Sequence, residues 1–195
     1  KDGKIDDVKK LLGELEANWD PTKYLTSPIQ KEKQDKQSLV PALESYQKWT
    51  NSNPNEIIAL ELPFTIYIGG FQVNGFIDRV EKTPEGEFVV IDYKTGGKKK
   101  KVDATNSPQL NLYALALKEN PEFGKYPQKA IFFYVEKPEG EQLIEYEVDS
   151  DKVDEMKNIF EGYVKAIEDK EFEATPGMFT CKFCQYSDIC EDAEN

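Results

Sequence analysis

The chain has 195 residues, 32% charged, 38% hydrophobic and 12% aromatic, with a formal net charge of −12. This is one domain's length and a folded, globular composition, which excludes disordered, collagen-like and coiled-coil classes. No apolar run approaches the roughly 18 residues of a membrane span. There is no signal-peptide core, and the absence of histidine excludes Ser-His-Asp and Cys-His catalysis and any His-ligated metal within the chain. Three cysteines cannot complete an internal disulfide framework. So acidic a chain is a poor stand-alone binder of DNA or acidic membranes, because phosphate contacts need positive charge. Most of the excess carboxylates serve solubility.

In chain order, residues 4–18 predict an amphipathic helix with Ile5, Val8, Leu11, Leu12 and Leu15 on one stripe. The chain starts at Lys1 without a Met, close to this helix, and is expected to be a piece of something longer. Residues 26–37 are polar and read as loop. A second helix is expected over about 38–51, with Leu39, Leu43, Tyr46 and Trp49. The period then becomes strand-like over 57–68, 71–82 and 87–94, rich in aromatic and β-branched residues. Gly69-Gly70 is a two-residue hairpin signal, and Thr83-Pro84-Glu85-Gly86 fits a three-residue loop with Gly in the left-handed region. Lys98–Lys101 is a basic loop. Ser107 and Pro108 open a helix running to about 119. Strands follow over about 129–136 and 141–148. A helix over 151–169 has Val153, Met156, Phe160, Tyr163, Val164 and Ile167 on one face, and a tail over 176–195 holds every cysteine. The chain thus divides into an N-terminal helical region (1–55) without evident chemistry, a core (56–175) and a cysteine-containing tail (176–195). The class is α/β (α+β): a mixed central sheet that begins with an antiparallel three-stranded meander and is flanked by helices.

The turns set a register. With Gly69-Gly70 as the loop, Ile68 faces Phe71 and Glu61 faces Asp78. With Pro84-Glu85-Gly86 as the loop, Thr83 faces Glu87 and Asp78 faces Asp92. Glu61, Asp78 and Asp92 then form one row across three strands. Lys94, two residues past Asp92, points to the same face. Leu60, Leu62, Phe64, Ile77, Ile91 and Tyr93 take the other face, as core. Directly opposed like charges are destabilising, so the row needs a cation, shared protons or a splayed, solvated geometry. It suits Mg²⁺ or Mn²⁺, hard cations that take oxygen ligands, lower the pKa of a bound water and neutralise charge on a scissile phosphate. The competing reading is an exposed charged face with Lys94 in a salt bridge.

The ordered set GFIDRV (75–80), VIDYKTG (90–96) and QLNLY (109–113) resembles the PD-(D/E)XK nuclease superfamily. It is most similar to the RecB-like branch of AddB-type nucleases and of nuclease domains fused to UvrD/PcrA-like helicases. The resemblance spans roughly 57–192. It implies a restriction-endonuclease-like core and metal-dependent hydrolysis of DNA phosphodiesters, by an exonuclease or end-processing module of a helicase-nuclease in DNA repair or recombination. By position, Asp78, Asp92 and the Tyr93 backbone carbonyl would ligate Mg²⁺ or Mn²⁺, with Glu61 as a further ligand or support. Lys94 would activate or position the water. Gln109 and Tyr113, one helical turn apart, would contact DNA or steady the site, and Lys98 and Lys99 would touch the DNA backbone. Cys181, Cys184 and Cys190 resemble the C-terminal three cysteines of that branch's iron-sulfur staple. The branch's upstream cysteine and histidine would precede Lys1. A [4Fe–4S] cluster is thus expected in the full-length parent and is incomplete in this chain. The implied partners are DNA and a helicase domain or subunit, with no membrane, and the expected location is the cytoplasm. The alternatives are an inactive nuclease fold that holds DNA or a partner subunit, and a metal-stapled interaction domain.

Overall fold

The computed structural model describes residues 7–24, 29–95 and 107–194. Helix α1 spans Val8–Ala17, and after a short 3₁₀ turn helix α2 spans Ile29–Ser52. The polar stretch expected as loop over 26–37 is therefore helical from Ile29 onward. Its Lys, Gln and Glu residues are strong helix formers, and Lys31 pairs with Asp35 one turn on at 2.8 Å. Helix α1 and Trp19 just beyond it supply the contacts that an apolar stripe would otherwise provide. The Trp19 indole N–H donates to Glu32 at 2.8 Å, and Lys36 pairs with Glu16 at 3.1 Å and lies over the Trp19 ring.

Strands β1 (Glu56–Ile68), β2 (Phe71–Lys82) and β3 (Phe88–Lys94) form the antiparallel meander. Helix α3 (Pro108–Glu119) leads to β4 (Lys129–Tyr134), which pairs parallel with β3. Strand β5 (Leu143–Glu147) closes the sheet antiparallel to β4, giving the order β1-β2-β3-β4-β5. Helix α4 spans Ser150–Glu168 and the short α5 Met178–Lys182. Both turns form as the residues require. Gly69 and Gly70 have φ of 59° and 84°, as a type I′ turn needs. Gly86 has φ 89°, and the Thr83 N–H bonds the Glu87 carbonyl at 2.8 Å. Ile68 faces Phe71, and Val80 faces Val90, in the expected register.

Both faces of the central strands β3 and β4 are covered. Strand β4 alternates cleanly between them, as a central strand must. Ala130, Phe132 and Tyr134 join the core under α3 and α4, while Ile131 and Phe133 join a second core under Tyr46 and Trp49 of α2. The single core face expected for Leu60, Leu62, Phe64, Ile77, Ile91 and Tyr93 is not formed. Phe64 and Ile77, with Leu62 beside them, belong to the first core; Ile91 and Tyr93 belong to the second. Leu60 is 62% exposed. The reason is local. Ile77 and Val80 contribute to the same core, although residues three apart on a regular strand point opposite ways. On β1, Glu61 has φ 47°. The pleat breaks where Glu61 and Asp78 meet.

Helix α4 also departs from expectation. Val153 and Met156 are buried and Phe160 packs on the core, but Tyr163 and Ile167 are exposed. The helix passes the β1–β2 turn at Glu161, whose Cγ would lie 3.2 Å from a Cβ on Gly69, and runs beyond the sheet it covers.

Gly75 permits the closest approach in this core. A Cβ there would lie 2.6 Å from Cζ of Phe64, whose ring packs edge-on against Tyr113. Gly75→Ala is expected to destabilise the fold by about 1–3 kcal/mol through overpacking, measured as a lowered urea midpoint at unchanged slope. Adding Phe64→Leu should recover part of the loss.

Candidate active site

Strands β2 and β3 separate at Arg79 and Ile91, the last paired residues before the C-terminal end of β3. One residue further, the Asp78 side chain enters the fork and its Oδ2 accepts the Tyr93 backbone N–H at 2.9 Å. A carboxylate thus occupies a place that the sheet ladder would otherwise fill. Asp92 follows Ile91 on β3 and is 2% exposed.

A closed ring of side chains surrounds Asp92. Lys94 Nζ lies 2.6 Å from Asp92 Oδ2 and donates to Gln109 Oε1 at 2.7 Å. Gln109 Nε2 donates to the Tyr113 hydroxyl at 3.0 Å. That hydroxyl donates to Asp92 Oδ1 at 3.3 Å. Two residues of β3, on one face because strand side chains alternate, meet two residues of α3 that are one turn apart. Pro108 starts the helix, although the Ser107 side chain makes no capping bond. The Lys94 ammonium also sits 5.2 Å from the Phe132 ring centroid.

Burial pushes the Asp92 carboxyl above its usual range, and the Asp78 charge adds to this against the opposing pull of Lys94 and Tyr113. Burial likewise pushes the Tyr113 hydroxyl up to about 12, so it stays protonated and can only donate to Asp92. Asp92 Oδ2 accepts no well-directed hydrogen bond, despite the nearby ammonium. An ionised carboxylate so placed is costly unless a cation shares it. Two carboxylates at a strand fork are a hard-oxygen donor set that fits a divalent cation, which keeps its remaining positions for water and substrate oxygens.

The reverse face of the fork holds residues the sequence did not single out. Arg79 and Glu81 form a buried ion pair. Asn53 and Asn55 donate to Glu81, and Arg79 Nη1 donates to the hydroxyls of Tyr46 and Tyr93 at 3.3 and 3.2 Å. Arg79 also lies over the Trp49 ring. The N-terminal region, where no chemistry was evident, therefore backs the strands that carry Asp78 and Asp92. The only sequence signal was alternation: Arg79 neighbours Asp78, and Tyr93 neighbours Asp92.

Two expectations are not met by the geometry, and a third falls outside the described residues. Glu61 is exposed and makes no hydrogen bond or ion pair among the described residues, because its left-handed backbone takes it out of the pleat that would have aligned it with the aspartates. Among the described residues no group of three His, Cys, Asp or Glu side chains is placed to hold a metal ion. That applies both to the three-carboxylate row and to Cys181, Cys184 and Cys190. Cys181 is buried, and the other two cysteines are exposed and free. Lys98 and Lys99 lie outside the described residues.

A buried carboxylate opposite a second one, with a lysine two residues on and a Gln/Tyr pair on the following helix, is what the fold gathers at the end of β3. The model of the PD-(D/E)XK nuclease superfamily matches residues 2–191, and the chain belongs to that superfamily. The Gene 69 protein of Mycobacterium phage L5 is 31% identical over 159 residues, 75% of this chain and 50% of that protein. The Gene 69 protein of Mycobacterium phage D29 is 31% identical over 146 residues, 70% of this chain and 49% of that protein. The chain thus spans about half the length of the curated relatives it matches. The solved structure of SSO0001 aligns over 96% of this chain and 95% of that one, at 17% identity and a TM-score of 0.44.

Proposed function

We propose that this chain is a Mg²⁺- or Mn²⁺-dependent deoxyribonuclease domain, an exonuclease or end-processing module of the RecB-like kind. The observation that carries the reading is the closed ring through Asp92, Lys94, Gln109 and Tyr113, set beside Asp78 in the strand fork. The two carboxylates and the Tyr93 carbonyl would hold the metal, which when bound neutralises phosphate charge and acidifies a water. Lys94 holds or moves a proton at the attacking oxygen. Gln109 fixes the ammonium, and Tyr113 orients Asp92 from its far oxygen.

The net charge of −12 supports a domain to which DNA is delivered by a helicase domain or subunit. Three free thiols support a reducing, cytoplasmic setting. Backbone N–H groups of Tyr186 and Glu194 donate to the Cys184 and Cys181 sulfurs at 3.4 and 3.3 Å, contacts of the kind that cluster sulfurs accept. A [4Fe–4S] cluster completed by an upstream cysteine is the corresponding proposal for the full-length parent.

The test is to incubate the protein with end-labelled single- and double-stranded DNA in Mn²⁺, in Mg²⁺ and in EDTA. Cleavage in either metal and none in EDTA is expected. DNA binding without cleavage, in the protein extended to its full natural length, would instead identify an inactive nuclease fold.

A further inference from the structure

We propose that the hydrogen bond from Arg79 to the Tyr93 hydroxyl is a bracket that closes the strand fork, so that Tyr93 is the positioning residue that sets Asp78 against Asp92 for metal binding. The proposal rests on the nuclease reading above and goes beyond it to what fixes the spacing of the two carboxylates.

Main-chain pairing cannot fix that spacing. The β2–β3 ladder ends at Arg79 and Ile91, and Asp78 and Asp92 are the next residue on each strand. Continued by two residues, the same register would set Ile77 opposite Tyr93. The ladder stops short of this, and Asp78 Oδ2 takes the Tyr93 backbone N–H at 2.9 Å. Like charges facing each other across two strands repel. Without a cation between them, Asp78 and Asp92 therefore work to open the fork.

What opposes the opening lies on the reverse face. Arg79 follows Asp78 and Tyr93 follows Asp92, and both side chains meet Tyr46 and Trp49 of α2 there. Arg79 Nη1 donates to the Tyr93 hydroxyl at 3.2 Å. This bond runs from the last rung on β2 to a point two residues past the last rung on β3. Its two ends are each one residue from an aspartate.

Both ends are locked. Arg79 and Glu81 are buried as an ion pair, and Asn53 and Asn55 hold the Glu81 carboxylate at 2.9 Å. The guanidinium carbon lies 5.1 Å from the Trp49 ring centroid. The Tyr93 ring packs edge-on against Tyr46 and Phe133. Stability does not account for this arrangement, because an apolar pair of similar volume commonly serves the fold as well as a buried ion pair. A fixed donor does account for it. Metal-holding side chains must be kept within about 0.5 Å of their working geometry by partners that are themselves immobile.

A second tyrosine supplies the control. Arg79 Nη1 also donates to the Tyr46 hydroxyl at 3.3 Å, and the two hydroxyls lie 3.0 Å apart. Tyr46 belongs to α2, so its bond ties β2 to the helix and does not cross the fork.

The test compares Tyr93→Phe with Tyr46→Phe. Each removes one hydroxyl from Arg79 and keeps the packed ring, and the urea midpoint in EDTA reads what each costs the fold. Mn²⁺ binding is followed by the electron paramagnetic resonance signal of the free ion. Tyr93→Phe is expected to weaken Mn²⁺ binding about 10–100-fold, the effect of removing a group that orients a metal ligand. Tyr46→Phe should bind Mn²⁺ as the wild type does. In EDTA, the backbone amide of residue 93 should exchange with deuterium faster in Tyr93→Phe, and at the wild-type rate in Tyr46→Phe. Wild-type Mn²⁺ affinity in Tyr93→Phe overturns the proposal. Equal weakening by the two variants also overturns it, since the cluster then acts through packing alone. If the wild type binds no Mn²⁺, the metal reading falls and amide exchange judges the bracket by itself. Faster exchange in Tyr93→Phe alone then upholds the closure of the fork, and unchanged exchange overturns it.

Discussion

Asp92→Asn is expected to abolish metal-dependent cleavage and, in EDTA near neutral pH, to raise the melting temperature. Both effects come from one placement. Asp92 is 2% exposed, and burial outweighs Lys94 in setting its carboxyl above the ordinary 3.8. The folded state thus holds that proton more tightly than the unfolded chain does. Stability is lost as pH rises from about 3.8 through the folded-state value, and above that window the charged carboxylate is a standing cost. Asparagine removes the charge and keeps an oxygen for the Tyr113 hydroxyl. A gain of about 1 kcal/mol corresponds to about 2–4 °C at this chain length. Mn²⁺ should raise the melting temperature of the wild type by mass action and leave the variant unmoved. Cleavage by Asp92→Asn at the wild-type rate would remove Asp92 from the mechanism.

Lys94→Met should be equally inactive and opposite in stability. The ammonium bridges Asp92 and Gln109, and its loss leaves the Asp92 carboxylate buried beside Asp78 without its counter-charge. Lys94 is itself 28% exposed on its side chain, so solvent moderates the loss to about 1–2 kcal/mol in EDTA. Loss of a positioned proton-handling group lowers turnover by about 10²–10⁴-fold. Mn²⁺ binding should survive, because the carboxylates remain, and should recover the lost stability. One calorimetric titration with both variants therefore separates the metal-holding from the proton-handling role. Failure of Lys94→Met to bind Mn²⁺ would show that the lysine shapes the site and does not handle the proton.

The meander, its two turns and its register were legible in the sequence, because turn chemistry is local. Gly69, Gly70 and Gly86 adopt positive φ for reasons carried by those residues alone, and a two- or three-residue loop then fixes which residues face each other. The gathering of Asp78, Asp92, Lys94, Gln109 and Tyr113 was legible for a related reason. Strand alternation and helical spacing are geometric constants, and the motif order matched a known superfamily.

Tertiary structure decided the rest. The polar segment after Ile29 has no apolar stripe to announce a helix, and its order comes from Trp19, Glu16 and Glu32 across the α1–α2 contact. Glu61 left the carboxylate row because its backbone turned left-handed where the pleat breaks, and strict alternation cannot foresee a local irregularity. Arg79 and Glu81 sit among charged neighbours in the sequence and look like surface residues. They are buried only because α2 brings Tyr46, Trp49 and Asn53 over them. Periodicity and turn chemistry are properties of a few consecutive residues, so the sequence by itself determined the meander, its register and which side chains gather around Asp92. Burial is a property of what packs on top, so only the folded chain decided which charges are desolvated, which carboxylate stands alone and which face of the ribbon is left bare.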